Sequence, residues 1–142
     1  MKQILKSASV IILVVIMSCM TLISCKDKAQ SGEEKMLYTE DTTLGEGKVQ
    51  FTFVCEHIDG TKITFKINTD KTTLSEALKD VNLIEGEDSQ YGLYVKKVNG
   101  ITQDYDIDGS YWALYIDGEY AQTGVDSTTI DPARTYTFKA EK

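Results

Sequence analysis

An α+β fold is predicted for residues 48–142 by three features of the sequence. A pair of strand-period runs flanks Asp59-Gly60, a capping box opens a helix-period segment at Thr73, and further strand-period runs follow it. Strands, one helix and then strands again is an α+β order. A β-grasp-like mixed sheet with hairpins and one short amphipathic helix is the expected architecture.

Each element has its own signal. Val49, Phe51, Phe53 and Cys55 alternate with Gln50, Thr52, Val54 and Glu56, the period of a half-buried strand. Asp59-Gly60 supplies a tight turn, and the return strand sets Ile63, Phe65 and Ile67 against Lys62, Thr64 and Lys66. Thr73-Leu74-Ser75-Glu76 reads as a capping box, with Leu74, Ala77, Leu78 and Val81 at helical spacing behind it. The acidic stretch from Glu85 to Asp88, with Gly86, is expected to be a loop.

Leu93 to Val98 alternates as a strand closed by Asn99-Gly100. Tyr111 to Ile116 forms another strand, Asp117-Gly118 turns it, and Glu119 to Gln122 returns. Thr135 to Ala140 places Tyr136, Phe138 and Ala140 on one side of a last strand. Ile-Asp-Gly recurs at Ile58, Ile107 and Ile116, but the intervening segments share no further pattern, so no repeat is assigned.

Ahead of this domain the chain reads as an export signal over residues 1–24. Lys2 and Lys6 precede an unbroken weakly polar to apolar stretch from Ala8 to Ile23. It ends in Leu22-Ile23-Ser24-Cys25, which resembles the lipobox of bacterial lipoproteins, where cleavage leaves the cysteine as a lipidated N-terminus. The competing reading is an uncleaved membrane anchor. Both place the remainder outside the cytoplasm, held to the membrane. Residues 25–47, lipidated Cys25 followed by a polar run, are expected to be a flexible tether. Met36, Leu37 and Tyr38 interrupt it, either docking on the domain or staying free.

Composition narrows the partners. The formal charge of −7 becomes −9 once Lys2 and Lys6 are removed, a balance that repels polyanions and disfavours nucleic acid. Of three cysteines only Cys55 lies in the folded part, so no intrachain disulfide can brace it. The hydrophobic core must carry the domain.

Four aromatic residues are candidate ligand contacts. Trp112 shares a strand face with Leu114 and Ile116, which identifies that face as core, while Tyr111 and Tyr115 flank the small Ala113 on the other. Two amphipathic rings beside a shallow gap could stack on a flat or sugar-like partner. Tyr94, in the strand over 93–98, is counted with them. Asp104-x-Asp106-x-Asp108-Gly109 matches the opening of a calcium loop, but its twelfth position is Tyr115 and no helix leads in. The pattern supports weak calcium binding, with Glu87 or Asp88 completing the shell, or a solvated acidic loop.

Catalysis is not expected, and no cofactor is required. Cys55 and His57 share a strand face, but Cys55 continues a buried run and His57, beside a turn, is expected to be exposed. The chain holds no Gly-rich phosphate loop, no zinc-ligand set, and no serine with a matching histidine base.

The segments "TLSEALKD", "YGLYVKKVNG" and "YWALYIDGEYAQTGV", within residues 48–142, resemble the transcobalamin-like C-terminal domain family, most specifically at Tyr111-Trp112 and Gly124-Val125. The resemblance implies a small domain that, in animal cobalamin carriers, closes over cobalamin held mainly by a separate α-helical domain, which is not expected here. The carriers have glutamine where this chain has Ala113, and bacterial relatives have a Gly-Asp turn where it has Pro132-Ala133-Arg134. Two functions follow as expectations. One is a surface lipoprotein whose domain captures cobalamin or another corrinoid near a transporter; the other is a structural or protein-interaction module on the cell surface.

Overall fold

Residues 34–142 are described by the computed structural model. The expected signal over 1–24, lipidated Cys25 and the first part of the tether lie outside the described residues. Among the described residues no helix is long and apolar enough to cross a membrane.

The alternation in the first hairpin does what its period requires. Val49–Glu56 (β2) and Lys62–Thr69 (β3) pair antiparallel with Phe53 opposite Phe65 and Cys55 opposite Ile63. Thr135–Glu141 (β9) lies parallel to β2, placing Tyr136 beside Phe53 and Phe138 beside Cys55. Tyr111–Ile116 (β7) runs antiparallel to β9, with Leu114 against Phe138 and Trp112 against Ala140. Because side chains alternate and the register keeps inward positions level, these residues form one continuous apolar face. Thr42–Leu44 (β1) and Glu119–Tyr120 (β8) are the edges, giving the order β1-β3-β2-β9-β7-β8.

The helix forms where the capping box predicts it. Leu74–Asp80 (α1) is capped by Thr73, whose hydroxyl accepts from the Glu76 N–H and donates to the Glu76 carboxylate. Leu74, Ala77 and Leu78 join the core formed by the sheet's apolar face. Fully burying each leucine contributes about 1.5–3 kcal/mol. Backbone bonds from Leu74 N to Thr128 O and from Ile130 N to Thr72 O, both 2.9 Å, stitch the start of the helix to the segment before β9.

A second sheet holds Ile84–Ser89 (β4), Gly92–Val98 (β5) and Ile101–Thr102 (β6) in antiparallel order. The acidic stretch expected as a loop is therefore strand β4. Every side chain from Glu85 to Ser89 is exposed, so no inward apolar set marked the strand. Backbone pairing with β5 and ion pairs from Glu85 to Lys97 (3.4 Å) and Glu87 to Lys96 (3.0 Å) hold it instead. A bulge between Glu85 and Gly86 leaves Lys96 unpaired in the register, and so both Val95 and Val98 turn inward. A Cβ on Gly86 would stand 2.1 Å from the Tyr94 carbonyl oxygen, so only glycine fits there.

Residues 34–47 are not the flexible tether expected of them. Leu37 N donates to Asn99 O at 3.0 Å, and the buried Asn99 side chain accepts from Tyr38 N and donates to Tyr38 O. Tyr38 packs edge-on against Phe65, with centroids 5.7 Å apart, and β1 pairs parallel with β3. Tyr38 and Met36 pack on the core while Leu37 stays exposed. Of the two readings of Met36, Leu37 and Tyr38, docking is the one observed, through apolar contacts of Met36 and Tyr38 and backbone bonds to Asn99.

Candidate functional site

Between β5, β7 and residues 120–125 runs a groove of about 340 Å³. Leu93, Tyr94 and Val95 form one wall; Trp112, Leu114 and Phe138 form the floor; Tyr120 to Val125 form the other wall, with Tyr111 at the side. No charged side chain lines it. Its walls are fixed by hydrogen bonds. Asp126 accepts from Leu93 N at 2.6 Å and bonds Ser75, and the Ser75 bond foremost holds its carboxyl below the usual range. Ala121 N donates to Leu114 O at 2.9 Å, and the Thr128 hydroxyl donates to Gly124 O at 2.9 Å.

Three of the four predicted aromatic contacts, Tyr94, Tyr111 and Trp112, meet at this groove, and Tyr115 does not. Trp112 is 6 % exposed and part of the core, with its indole N–H donating to Ile101 O at 3.2 Å across to β6. It serves as packing and groove floor at once. Tyr120 lay in the expected return strand and Gly124-Val125 in the resemblance, but none of the residues from Tyr120 to Val125 was named as a contact, because a two-residue edge strand and a polar turn carry no periodic signal.

The gap expected over Ala113 is closed. Both tyrosine hydroxyls donate to Glu141, Tyr111 at 3.0 Å and Tyr115 at 2.6 Å, and the Lys139 ammonium lies 5.8 Å from the Tyr115 ring. Ala113 is left only 2 % exposed beneath them. Tyr115 packs edge-on with Tyr120, centroids 5.5 Å apart, and so supports the groove wall from behind.

This carboxylate bond pushes the Tyr115 phenol up to about 12 and holds Glu141 below the usual carboxylate range. A phenol pKa raised in the folded state gives stability that is full below the unfolded value near 10 and is lost as pH rises through about 12. The depressed Glu141 gives stability that is full above the unfolded carboxylate value and is lost on acidification. Tyr115→Phe is expected to flatten the alkaline fall in denaturant midpoint between pH 10 and 12, with wild type as reference.

The predicted calcium ligands do not assemble. Residues Tyr105–Asp108 (α2) wind into one helical turn instead of an open loop. Asp104 caps it, accepting from Asp106 N at 3.0 Å while pairing with Lys96 at 3.3 Å. Asp108 accepts from the Ser110 N–H and hydroxyl, which keep its carboxyl below the usual range. Asp104 and Asp108 line a small cavity with Glu34, and Asp106 does not; Glu34 itself accepts from Thr102 N at 3.0 Å. Glu87 binds Lys96 instead of completing a shell. Among the described residues no three His, Cys, Asp or Glu side chains converge to hold an ion.

His57, expected to be exposed, is buried at 8 % exposure, its ring edge-on to Trp112 with centroids 5.8 Å apart. Neighbouring Cys55 is fully buried, and burial pushes its thiol up to about 12. A thiol so rarely ionised is a poor nucleophile.

Fold and groove define the class: an α+β domain carrying an amphipathic, uncharged recess between two sheets. Residues 71–142 match the family described as Domain of unknown function (DUF4430), and the chain belongs to it. No curated protein sequence matches the chain. Among solved structures it is similar to a "putative metal binding protein" from Ruminococcus gnavus ATCC 29149. The two share 28 % identity with a TM-score of 0.63, over 67 % of this chain and 98 % of that one. It is also similar to haptocorrin in complex with Cbi, at 14 % identity and a TM-score of 0.53, over 70 % of this chain and 27 % of haptocorrin. That second likeness is one of fold.

Proposed function

We propose that this chain is an extracytoplasmic lipoprotein, lipidated at Cys25, whose domain is a non-enzymatic module that captures a corrinoid, cobalamin or a precursor such as cobinamide. The observation that carries the reading is the groove, where Tyr94, Tyr111, Tyr120 and Trp112 surround an uncharged recess of about 340 Å³. Apolar floors with a few polar groups at the rim are the usual make-up of small-molecule sites. The fold shared with corrinoid-bound haptocorrin supports the ligand class, and the sheet order, with its central parallel β2/β9 pair, supports a β-grasp-type member of the transcobalamin-like family.

A recess of this size, at the low end of the range for ligand pockets, covers only part of a corrinoid. The domain thus acts as one jaw, holding an edge of the ligand until a transporter or partner domain takes the rest. Isothermal titration with cobinamide and cobalamin tests this. Saturable binding is expected, weakened about tenfold or more by Tyr94→Ala and by Tyr120→Ala. Absence of binding up to high micromolar ligand would contradict stand-alone capture.

One observation favours a second reading, a protein-interaction module. Tyr91 stands 87 % exposed in the β4–β5 turn, close to Gly124 on the groove wall. If corrinoids fail to bind and Tyr91→Ala or Tyr120→Ala removes co-purifying surface proteins, that reading replaces the first.

A further inference from the structure

The face of β7 turned away from the core carries an aromatic array that the capture reading uses only at its groove end. Tyr111 and Tyr115 share this face, four residues and about 13 Å apart by the rise of a strand. Each is extended by a further tyrosine. Tyr105, on α2, stands edge-on to Tyr111 with centroids 6.4 Å apart, and Tyr120, paired with Tyr115 across the β7–β8 hairpin, stands edge-on to it at 5.5 Å. The outer two rings are the most open, Tyr105 at 64 % and Tyr120 at 56 % exposure. Four tyrosines from three elements thus form one strip.

Glu141 makes the strip a surface and not a slot. Its two carboxylate oxygens each accept one phenol proton, at 3.0 Å from Tyr111 and 2.6 Å from Tyr115, which fixes both rings and leaves each phenol oxygen able to accept a further hydrogen bond. From β9, Lys139 lies opposite Ala113 and Thr137 opposite Tyr115. Aromatic rings beside fixed donors and acceptors suit a sugar, whose C–H face packs on a ring while its hydroxyls reach the polar groups around it. We propose that Tyr105, Tyr111, Tyr115 and Tyr120 form a binding surface for an extended, uncharged polysaccharide of β-linked pyranose units.

Shape selects a polymer. Rings spread along a straight strand outrun a single sugar, and an open strip gives little hold on a small ligand, which is gripped by enclosure. The same straightness fits a chain that stays extended and not one that coils. Charge selects a neutral chain. The Lys139 ammonium is met by Glu141 at 3.7 Å, and Asp106 and Asp108 lie on the same helical turn as Tyr105. The formal net charge of −7 adds to that repulsion of an acidic glycan. Protein interfaces set their aromatic anchors in desolvated apolar pockets, whereas the central pair here is flanked by Thr137, Lys139 and Glu141.

The strip is separable from the groove. Tyr105 and Tyr115 do not line the recess, while Tyr111 and Tyr120 border both. Polysaccharide binding therefore stands or falls apart from corrinoid capture.

Nitrogen-edited NMR titration of the chain with cellohexaose and chitohexaose, and with maltohexaose as the coiled α-linked comparison, tests the proposal. Saturable shifts with at least one of the two extended chains are expected at the amides of Tyr105, Tyr111, Tyr115, Thr137 and Lys139. Tyr105→Ala, at an exposed position that does not threaten folding, should weaken that binding about tenfold and leave the cobinamide titration unchanged. No shift with either extended chain, equal binding of maltohexaose, or undiminished binding by Tyr105→Ala overturns the proposal. Shifts confined to Leu93 to Val95 also overturn it, by making the groove the sugar site. If neither extended chain binds and Tyr105→Ala removes a co-purifying protein, the strip is a protein contact and the proposal is refuted.

Discussion

Trp112→Ala is expected to lower the domain's stability by about 3–5 kcal/mol, the cost of emptying a buried tryptophan site. Trp112 packs among the core residues of β7 and β9, stacks edge-on to His57, and reaches the second sheet through its bond to Ile101 O. The alanine variant therefore loses apolar packing and leaves a cavity where the two sheets meet. Trp112→Phe retains most of the packing and loses one N–H···O bond to the Ile101 carbonyl, a cost of about 0.5–1.5 kcal/mol. Urea unfolding of the three proteins should rank wild type, phenylalanine, then alanine. Equal midpoints for all three would show that Trp112 is a surface contact and not core.

The second large effect is expected at Asn99. Its backbone takes a left-handed conformation, φ 50°, and its side chain satisfies both the N–H and the C=O of Tyr38. Asn99→Ala strands two partly buried backbone groups and strains the turn, costing about 2–4 kcal/mol together. Asn99→Gly restores the left-handed backbone but not the bonds, so it should recover part of that loss. Hydrogen exchange locates the damage: amides of residues 36–44 should exchange faster in Asn99→Ala, while those of β2 and β3 keep their protection. Unchanged exchange at Leu37 and Tyr38 would mean that the N-terminal segment docks by other means.

Those two residues also mark what a sequence reader can and cannot see. The β2–β3 hairpin, α1 and β9 were legible because each buries one face, so period two or a capping box with helical spacing shows directly in the residues. Strand β4 buries only Ile84 and pairs its charges with lysines of β5, so its signal is in its neighbour. The Asn99 clamp joins positions 61 apart by binding its side-chain amide to backbone atoms of Tyr38, a pairing that no side-chain periodicity records. His57 sits beside a turn, yet Trp112 from a distant strand covers it.

The candidate site shows the same division. Strand alternation correctly put Trp112 in the core and Tyr111 with Tyr115 on the other face. That Glu141 would tie both hydroxyls and close the space over Ala113 depends on the β7–β9 register, which brings Glu141 opposite Tyr111. The groove that remains open draws on four separated segments, and of its lining only Tyr94, Tyr111 and Trp112 were named as contacts beforehand. The alternate carboxylates from Asp104 to Asp108 mimic a calcium loop because helix caps and cation loops use the same short acceptors; here the cap uses Asp104.

The most direct test of the groove as the binding site is a nitrogen-edited NMR titration of the chain with cobinamide. The account predicts saturable shifts at the Trp112 indole N–H and at the amides of Leu93 to Val95 and Ala121 to Val125, with β1 and β3 unmoved. A spectrum that does not change, or that changes only outside these segments, would contradict it.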